Sequence, residues 1–437
     1  MANSAKNKLA ASVAQQWPAA AAGRFSVEAA LSGGLDSVVL LHILHSLRST
    51  LPLELSAVHV HHGLSALADD WVAFCRQLCA RWQIPLRVEY VQVASAGLGW
   101  EAAARAERYR CFSASSARII ALGHHADDQI ETFMLAALRG GGLRALSAMP
   151  AQRDLSSEIR LWRPLLAFSR QELEAYAREH GLSWIEDDSN QDTALLRNWL
   201  RLEGLPPWRQ RVPHFARQLA ASVAQLQRDL ALLEEYAAAD WAAVHDAAGR
   251  FHVSRWRALS PLRRKQQLYA FARKLQLGTP TAASVADFAA TLAAPATQQA
   301  EWPLPQGRAV YYGDCLYSAE AAVQTIRQLL SGSLTPEWQT AAYGLPEAII
   351  RHGHWRPVSA QDRLPLRGGG HKSVRRLLQE RRVPPFLRPL WPVWSDDKNR
   401  CLAVAQLAVS PEAAVAGGYV CRIPELSALL PDAPDSV

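Results

Sequence analysis

Between residues 25 and 163, short apolar runs alternate with stretches in which apolar residues recur every three or four positions. Residues 25–31, 53–60, 86–91, 118–123 and 158–162 read as strands, while the pattern after residue 38 and those at 68–82, 101–117 and 127–139 read as helices. This alternation predicts an α/β fold: a mainly parallel sheet covered by helices on both faces, with ligands bound beyond the carboxyl ends of its strands. A further helix is expected over 169–180, opened by a capping box of Ser169 and Glu172. After Pro206 and Pro207 the pattern changes, and residues 214–239, rich in Ala, Leu, Gln and Glu without proline, read as one long helix. Residues 241–317 are mixed and mostly helical, with helices at 260–275 and 281–293. Gly and Pro punctuation at 330–346 precedes a smaller α+β unit that ends near residue 423, and the tail 424–437 is expected to be mobile.

A chain of 437 residues with 49% apolar positions can build two or three ordinary domains. No apolar run approaches the ~20 residues of a membrane span, and no secretory signal opens the chain, so a cytoplasmic protein is expected. Cys75, Cys79, Cys111, Cys315, Cys401 and Cys421 form no Cys-x-x-Cys pair and read as reduced thiols. The net charge of +7 is unevenly spread: residues 351–400 carry twelve Lys/Arg against four Asp/Glu. A second basic cluster, Arg197, Arg201, Arg209, Arg211 and Arg217, is opposed only by Glu203. Such clusters are either solvated faces or a footprint for a polyanion such as RNA.

The chemistry is concentrated where strands should end. Ser32, Gly33, Gly34, Leu35, Asp36 and Ser37 stand between the first strand and its helix. Glycines there permit positive φ, so that successive N–H groups can converge on one anion, and the helix N-terminus adds to the attraction. Neither the dinucleotide-binding glycine pattern nor the Walker pattern is present at this junction. Asp36 makes sense beside phosphate if Mg²⁺ bridges them or if the carboxylate acts on a second substrate. His59, His61 and His62 close the second strand, where nucleotide contact or turn polarity is favoured over zinc. Glu101 and Arg105, at i and i+4, fit a helix ion pair. Asp127 or Asp128 is expected to cap the next helix, and Asp127 and Glu131 stack two carboxylates on one face of it. Like charges at that spacing call for a cation between them, Mg²⁺ or an amine, unless they only serve the helix dipole. A polar string, Glu186, Asp187, Asp188, Ser189 and Asn190, precedes Arg197 and Asn198.

The loop Ser32 to Ser37 resembles that of the N-type ATP pyrophosphatases. Taken together with His59 to Gly63, Glu101 to Tyr109, His125 to Thr132, Arg139-Gly140, Arg163 to Leu166, Glu186 to Asn190 and Arg197-Asn198, the chain resembles the tRNA(Ile)-lysidine synthase family. The resemblance resumes at Lys372 to Glu380 and Val383-Pro384-Pro385. Two positions depart from the family pattern: Ala145 stands where another glycine is usual, and Arg375 and Arg376 where lysines are usual. The resemblance implies a parallel-sheet nucleotide-binding catalytic domain over 1–215, a mostly helical central domain over 216–335 and a small α+β, basic tRNA-binding domain over 336–437. It implies a ligase that uses ATP and Mg²⁺ to adenylate the wobble cytidine of the CAU-anticodon isoleucine tRNA, and free L-lysine to displace AMP.

The roles it implies are ATP binding by Ser32, Gly33, Gly34, Leu35, Asp36, Ser37, His59 and His61, and catalysis by Asp36, Asp127, Glu131 and Arg105. Lysine falls to Asp127, Asp128 and Glu131, and Mg²⁺ to Asp36 and Asp128. Contact with tRNA falls to Arg197, Arg201, Lys372, Arg375, Arg376, Arg381 and Arg382. A homodimer is left open. Three other classes fit less well. A tRNA thiolase needs reactive, usually paired cysteines, a small-molecule ligase has no use for the basic C-terminal segment, and a binding module needs no phosphate loop.

Overall fold

The computed structural model describes residues 3–17, 25–63, 65–93, 100–186, 191–365 and 370–430. Leu64, Asp187, Asp188, Ser189, Asn190, Arg367, the side chain of Glu101 and the tail from residue 431 lie outside the described residues. The chain divides into two compact units, Met1–Leu232 and Leu233–Val437. Among the described residues no helix is long and apolar enough to cross a membrane.

The first unit runs α1 (Asn3–Gln15), β1 (Phe25–Ala30), α2 (Leu35–Leu47), β2 (Leu53–His61), α3 (Ala68–Arg81), β3 (Leu86–Tyr90), α4 (Trp100–Ser113), β4 (Ile119–Ala121) and α5 (Ala126–Leu138). It continues with α6 (Leu143–Leu146), β5 (Gln152–Asp154), β6 (Arg160–Trp162), α7 (Arg170–Glu179), α8 (Leu196–Trp199), α9 (Leu205–Arg211) and the start of α10 (Phe215–Val244). The strands form one sheet in the order β3-β2-β1-β4-β6-β5, parallel except for β5, which pairs antiparallel with β6. The expected α/β architecture is therefore present, with β5 and α1 as additions that the apolar pattern does not reveal.

Burial explains the central pieces. Helix α2 is apolar on nearly every side, from Leu35 through Leu47, and is enclosed by β1, β2, α1 and α7 in one core that includes Leu9, Val13, Trp162 and Tyr176. On β1 the one buried acid, Glu28, receives a two-pronged hydrogen bond from Arg87 of β3, at 3.1 and 2.8 Å. That pair satisfies a carboxylate inside the sheet layer and ties two strands that are not neighbours. The strand order reverses between β1 and β4, and the crevice above this reversal is where open parallel sheets bind ligands.

The second unit holds the end of α10 and then β7 (Phe251–His252), α11 (Val253–Arg257), α12 (Pro261–Lys274), α13 (Ala282–Ala293), β8 (Gln299–Leu304), β9 (Gly307–Tyr312), β10 (Cys315–Ser318) and α14 (Ala319–Leu330). Beyond these lie β11 (Glu337–Leu345), α15 (Glu347–His352), β12 (His354–Pro357), β13 (Arg363–Pro365), β14 (His371–Ser373) and α16 (Val374–Glu380). The last elements are β15 (Pro392–Ser395), β16 (Cys401–Val404), β17 (Ala408–Val409), β18 (Val415–Ala416), β19 (Tyr419–Arg422) and α17 (Pro424–Ser427).

Here the structure departs from the sequence pattern. The stretch expected to be mostly helical contains an antiparallel sheet, β7-β10-β9-β8. Its strands are short, and β8 carries Pro303, which a sheet tolerates because β8 is an edge. The tail expected to be mobile begins with α17, whose Leu426 is buried. Residues of β10 and α14, including Tyr317, Ile326 and Leu329, share a core with Val374, Leu378, Trp391 and Val393. One hydrophobic core thus spans residue 335, where the sequence pattern suggested a boundary.

Gly123 lies two residues past the end of the short β4, and a Cβ there would lie 3.0 Å from the backbone carbon and oxygen of Asp36. Backbone atoms on both sides leave no flexible group to yield. Gly123→Ala is expected to lower stability by about 1–3 kcal/mol, read as a lower urea midpoint; an unchanged midpoint would mean that the start of α2 moves freely.

Candidate active site

The turn from β1 into α2 is built as an anion cradle. Gly33 has φ +91°, and Gly34 is the N-cap residue of α2 without any side-chain cap bond. The hydroxyls do the bracing: Ser37 Oγ donates to the Gly34 carbonyl at 2.8 Å, lies 3.1 Å from Ser32 Oγ and accepts from the Ser32 N–H at 3.2 Å. Ile185 donates its N–H to the Gly33 carbonyl at 2.9 Å. A Cβ on Gly33 would meet Ile185 Cδ1 at 2.7 Å, so position 33 has neither the conformation nor the space for a side chain. His59 is buried behind the turn, where its Nδ1 meets the Leu31 carbonyl at 2.8 Å; it braces the loop from beneath and is closed to a nucleotide. His61 lies at the strand end, 3.3 Å from Asp69 and against Tyr90.

Across the crevice stands α5. Its N-cap is His125, not Asp127 or Asp128: the imidazole Nδ1 accepts from the Asp127 N–H at 3.2 Å, and Asp128 Oδ2 accepts from the His125 N–H at 3.0 Å. An imidazole nitrogen can thus replace the usual capping oxygen, with the acid at the third helical position completing the box. Burial pushes the His125 imidazole down, but its contact with Asp36 and the charges of Asp128, Asp36 and Asp127 outweigh this and hold it above its ordinary value.

The acids of α5, expected to call for Mg²⁺ or an amine, are met instead by guanidiniums of the chain itself. Glu131 is 1% exposed, and its two oxygens accept from Arg197 Nε and Arg201 Nε, each at 2.7 Å. Asp128 Oδ1 accepts from Arg197 Nη2 at 2.9 Å. Asp127 accepts from the Arg170 N–H at 2.8 Å and from Arg209. Arg197 and Arg201, read from the sequence as tRNA contacts, are therefore engaged with the acids of α5. The sequence did not single out Arg170 or the cap role of His125, and it named Arg209 only as part of a basic cluster, although a run of arginines with one acid for company was a signal that their partners lay elsewhere.

These side chains border a cleft of about 560 Å³ lined by His125, Asp127, Glu131, Arg170, Glu174, Arg201, Arg209, His214 and Phe215, among others. Asp36 adjoins it, with Oδ2 3.5 Å from both His125 Nε2 and Arg170 Nη1. Its other oxygen, Oδ1, is buried without a hydrogen-bond partner. Among the described residues no group of three or more His, Cys, Asp or Glu is arranged to hold a metal ion. Magnesium carried by a nucleotide needs only one or two carboxylates beside phosphate oxygens, and Asp36 Oδ1 fits that demand. Asp128 already accepts one hydrogen bond on each of its oxygens.

Arg105 is exposed and lies over Tyr109, its guanidinium 4.9 Å from the ring and 3.1 Å from the hydroxyl. In the second unit Lys372 and Arg376 both pair with Glu380, while Arg375, Arg376, Arg381 and Arg382 are exposed around α16. Burial raises the thiols of Cys75 and Cys421 to about 12 and that of Cys79 to about 11, which leaves them poor nucleophiles and disfavours thiolation chemistry.

Burial alone would raise the Asp128 carboxyl, but His125, Arg197 and His124, with the His125 N–H, hold it below its ordinary 3.8. A depressed carboxyl contributes stability above that value, and the contribution is lost as the pH falls through the folded one. Asp128→Asn keeps the cap acceptor but loses the charge. It is expected to be less stable than the unchanged protein at pH 7 by about 1–3 kcal/mol, with the deficit shrinking as the pH falls below 3.8 toward the folded value. Urea unfolding as a function of pH from 7 downward checks this; a deficit that does not change with pH would remove charge from the explanation.

Residues 3–207 match the model of the PP-loop domain, and residues 354–423 that of the TilS substrate C-terminal domain. The chain is 43% identical over 415 residues to the tRNA(Ile)-lysidine synthase of Neisseria gonorrhoeae, covering 92% of each chain. It is 40% identical over 439 residues to that of Chromobacterium violaceum, covering 94% of this chain and 98% of the other. Over 209 residues, 47% of this chain and 48% of the other, it is 56% identical to that of Serratia proteamaculans. With identities of 40–43% sustained over more than nine-tenths of its length, this chain belongs to the tRNA(Ile)-lysidine synthase family.

Proposed function

We propose that the protein joins L-lysine to the wobble cytidine of the isoleucine tRNA whose anticodon is CAU, producing lysidine. In the first step the cytosine C2 oxygen attacks the α-phosphorus of ATP, and pyrophosphate leaves. In the second the ε-amine of lysine forms a C–N bond at C2, AMP departs with the C2 oxygen, and the amine proton passes to a base. Adenylation converts a poor leaving oxygen into a good one. The amine attacks only when neutral, and a carboxylate at the cleft would take up its proton.

The observation that carries this reading is that Asp36 of the anion cradle comes within 3.5 Å of His125 and Arg170, which line a cleft together with acids of α5, while its other oxygen is buried without a hydrogen-bond partner. In this reading residues 32–37 hold the phosphates, and Asp36 would hold a nucleotide-borne Mg²⁺, which would supply neutralising charge there. Asp127 and Glu131 receive the lysine ammonium in place of a guanidinium, most readily that of Arg209, which is 44% exposed. Arg105 would steady charge on the adenylate. Arg375, Arg376, Arg381 and Arg382, in the unit matching the substrate domain, would contact tRNA phosphates.

Purified protein given ATP, labelled lysine and the tRNA transcript is expected to place label in RNA and release AMP and pyrophosphate; RNA without label would overturn the reading. Asp36→Asn is expected to abolish AMP formation, and activity within about tenfold of the unchanged protein would remove this carboxylate from the mechanism. Replacing Arg375, Arg376, Arg381 and Arg382 together by Ala is expected to weaken tRNA binding and flatten its salt dependence, each lost contact lowering the slope by roughly 0.7 to 0.9. An unchanged slope would make the cluster a solvated surface.

A further inference from the structure

Along residues 195–208 the chain leaves Leu195, Leu196, Trp199, Leu202 and Trp208 more than a third exposed. Single exposed apolar residues need no explanation, but a run of them beside the candidate active site does. Trp208, 56% exposed, stacks on Phe215 with ring centroids 6.3 Å apart and 26° between planes. Phe215 lines the cleft and packs against Ile130, Leu200 and Leu205 of the core beneath it. Pro206 and Pro207 fix the first turn of α9, so the indole is presented from a stiff support. Arg209, Arg211 and Arg217 are exposed around it, and the single acid between residues 195 and 217 is Glu203.

We infer that Trp208 is a stacking platform for an unpaired RNA base, the adenosine that follows the reacting cytidine in the anticodon. The inference rests on the RNA-modifying reading above and adds a positioning residue to it. Chemistry at the edge of a loop base requires that base to be splayed out of its stack, and its neighbour then loses a stacking partner. An exposed indole among arginines replaces that partner and pairs with the backbone charge at once. A second copy of the chain fits this surface poorly, because a twofold contact would bring Arg209, Arg211 and Arg217 against themselves.

The test uses the full-length protein and tRNA carrying 2-aminopurine at the anticodon adenosine. This probe is bright when unstacked and quenched when stacked. Binding to the unchanged protein is expected to quench it. Trp208→Ala should leave it bright and weaken binding by about 5- to 150-fold, raising KM for tRNA more than it lowers kcat, while Trp208→Phe should retain most of the quenching and affinity. Equal quenching with Trp208→Ala would overturn the proposal. So would unchanged tRNA affinity in that variant accompanied by a lower mass in sedimentation, which would make the patch an interface between copies. Quenching by an unchanged protein that never incorporates lysine would support the platform and sink the chemistry proposed above.

Discussion

A carboxylate that is 1% exposed needs partners, and Glu131 finds two guanidiniums. Removing charge from water costs several kcal/mol per ion unless geometry and hydrogen bonds return it. Arg197 and Arg201 come from the segment around α8 and, through Glu131 and Asp128, fasten it onto the N-terminal half of α5. Asp127 does the same for the start of α7 and, with Arg209, for α9. Four pieces of chain that share no strand pairing are thereby held around one cleft. The orientation of the site follows from satisfying buried acids, with the sheet supplying only the platform.

This arrangement gives the acids of α5 a double character. They hold the scaffold, and they are the groups a cationic substrate would seek. An ammonium arriving at the cleft meets carboxylates that already carry guanidinium partners, so it must exchange for one of them. The partner simplest to exchange is Arg209, which is part-exposed and holds one oxygen of Asp127.

How much of this was legible depends on the kind of signal each residue gives. The parallel sheet, the turn at Gly33 and the capping box of Ser169 with Glu172 are local statements, written in periodicity and in residues whose conformational range is special. The partners of Glu131 sit 66 and 70 positions away, and no local pattern names them. His125 as a helix cap was missed because imidazole is an uncommon capping group and two aspartates stood beside it. The strands β7 to β10 were missed because short strands, one of them carrying Pro303, lack the alternation that marks a half-buried sheet. Arg197 and Arg201 were read from their charge alone, and charge does not say whether it faces water or a buried acid.

The contact between Gly33 and Ile185 bears on how this loop can change over generations. A motif of six residues looks portable, yet its second position is completed by a side chain far along the chain. Drift at position 185 toward a different shape alters the floor on which the turn rests, and any gain of a side chain at 33 would have to be met by a loss at 185. The two sites are therefore expected to vary as a linked pair. A loop transplanted without its distant isoleucine would carry the right letters and the wrong curvature.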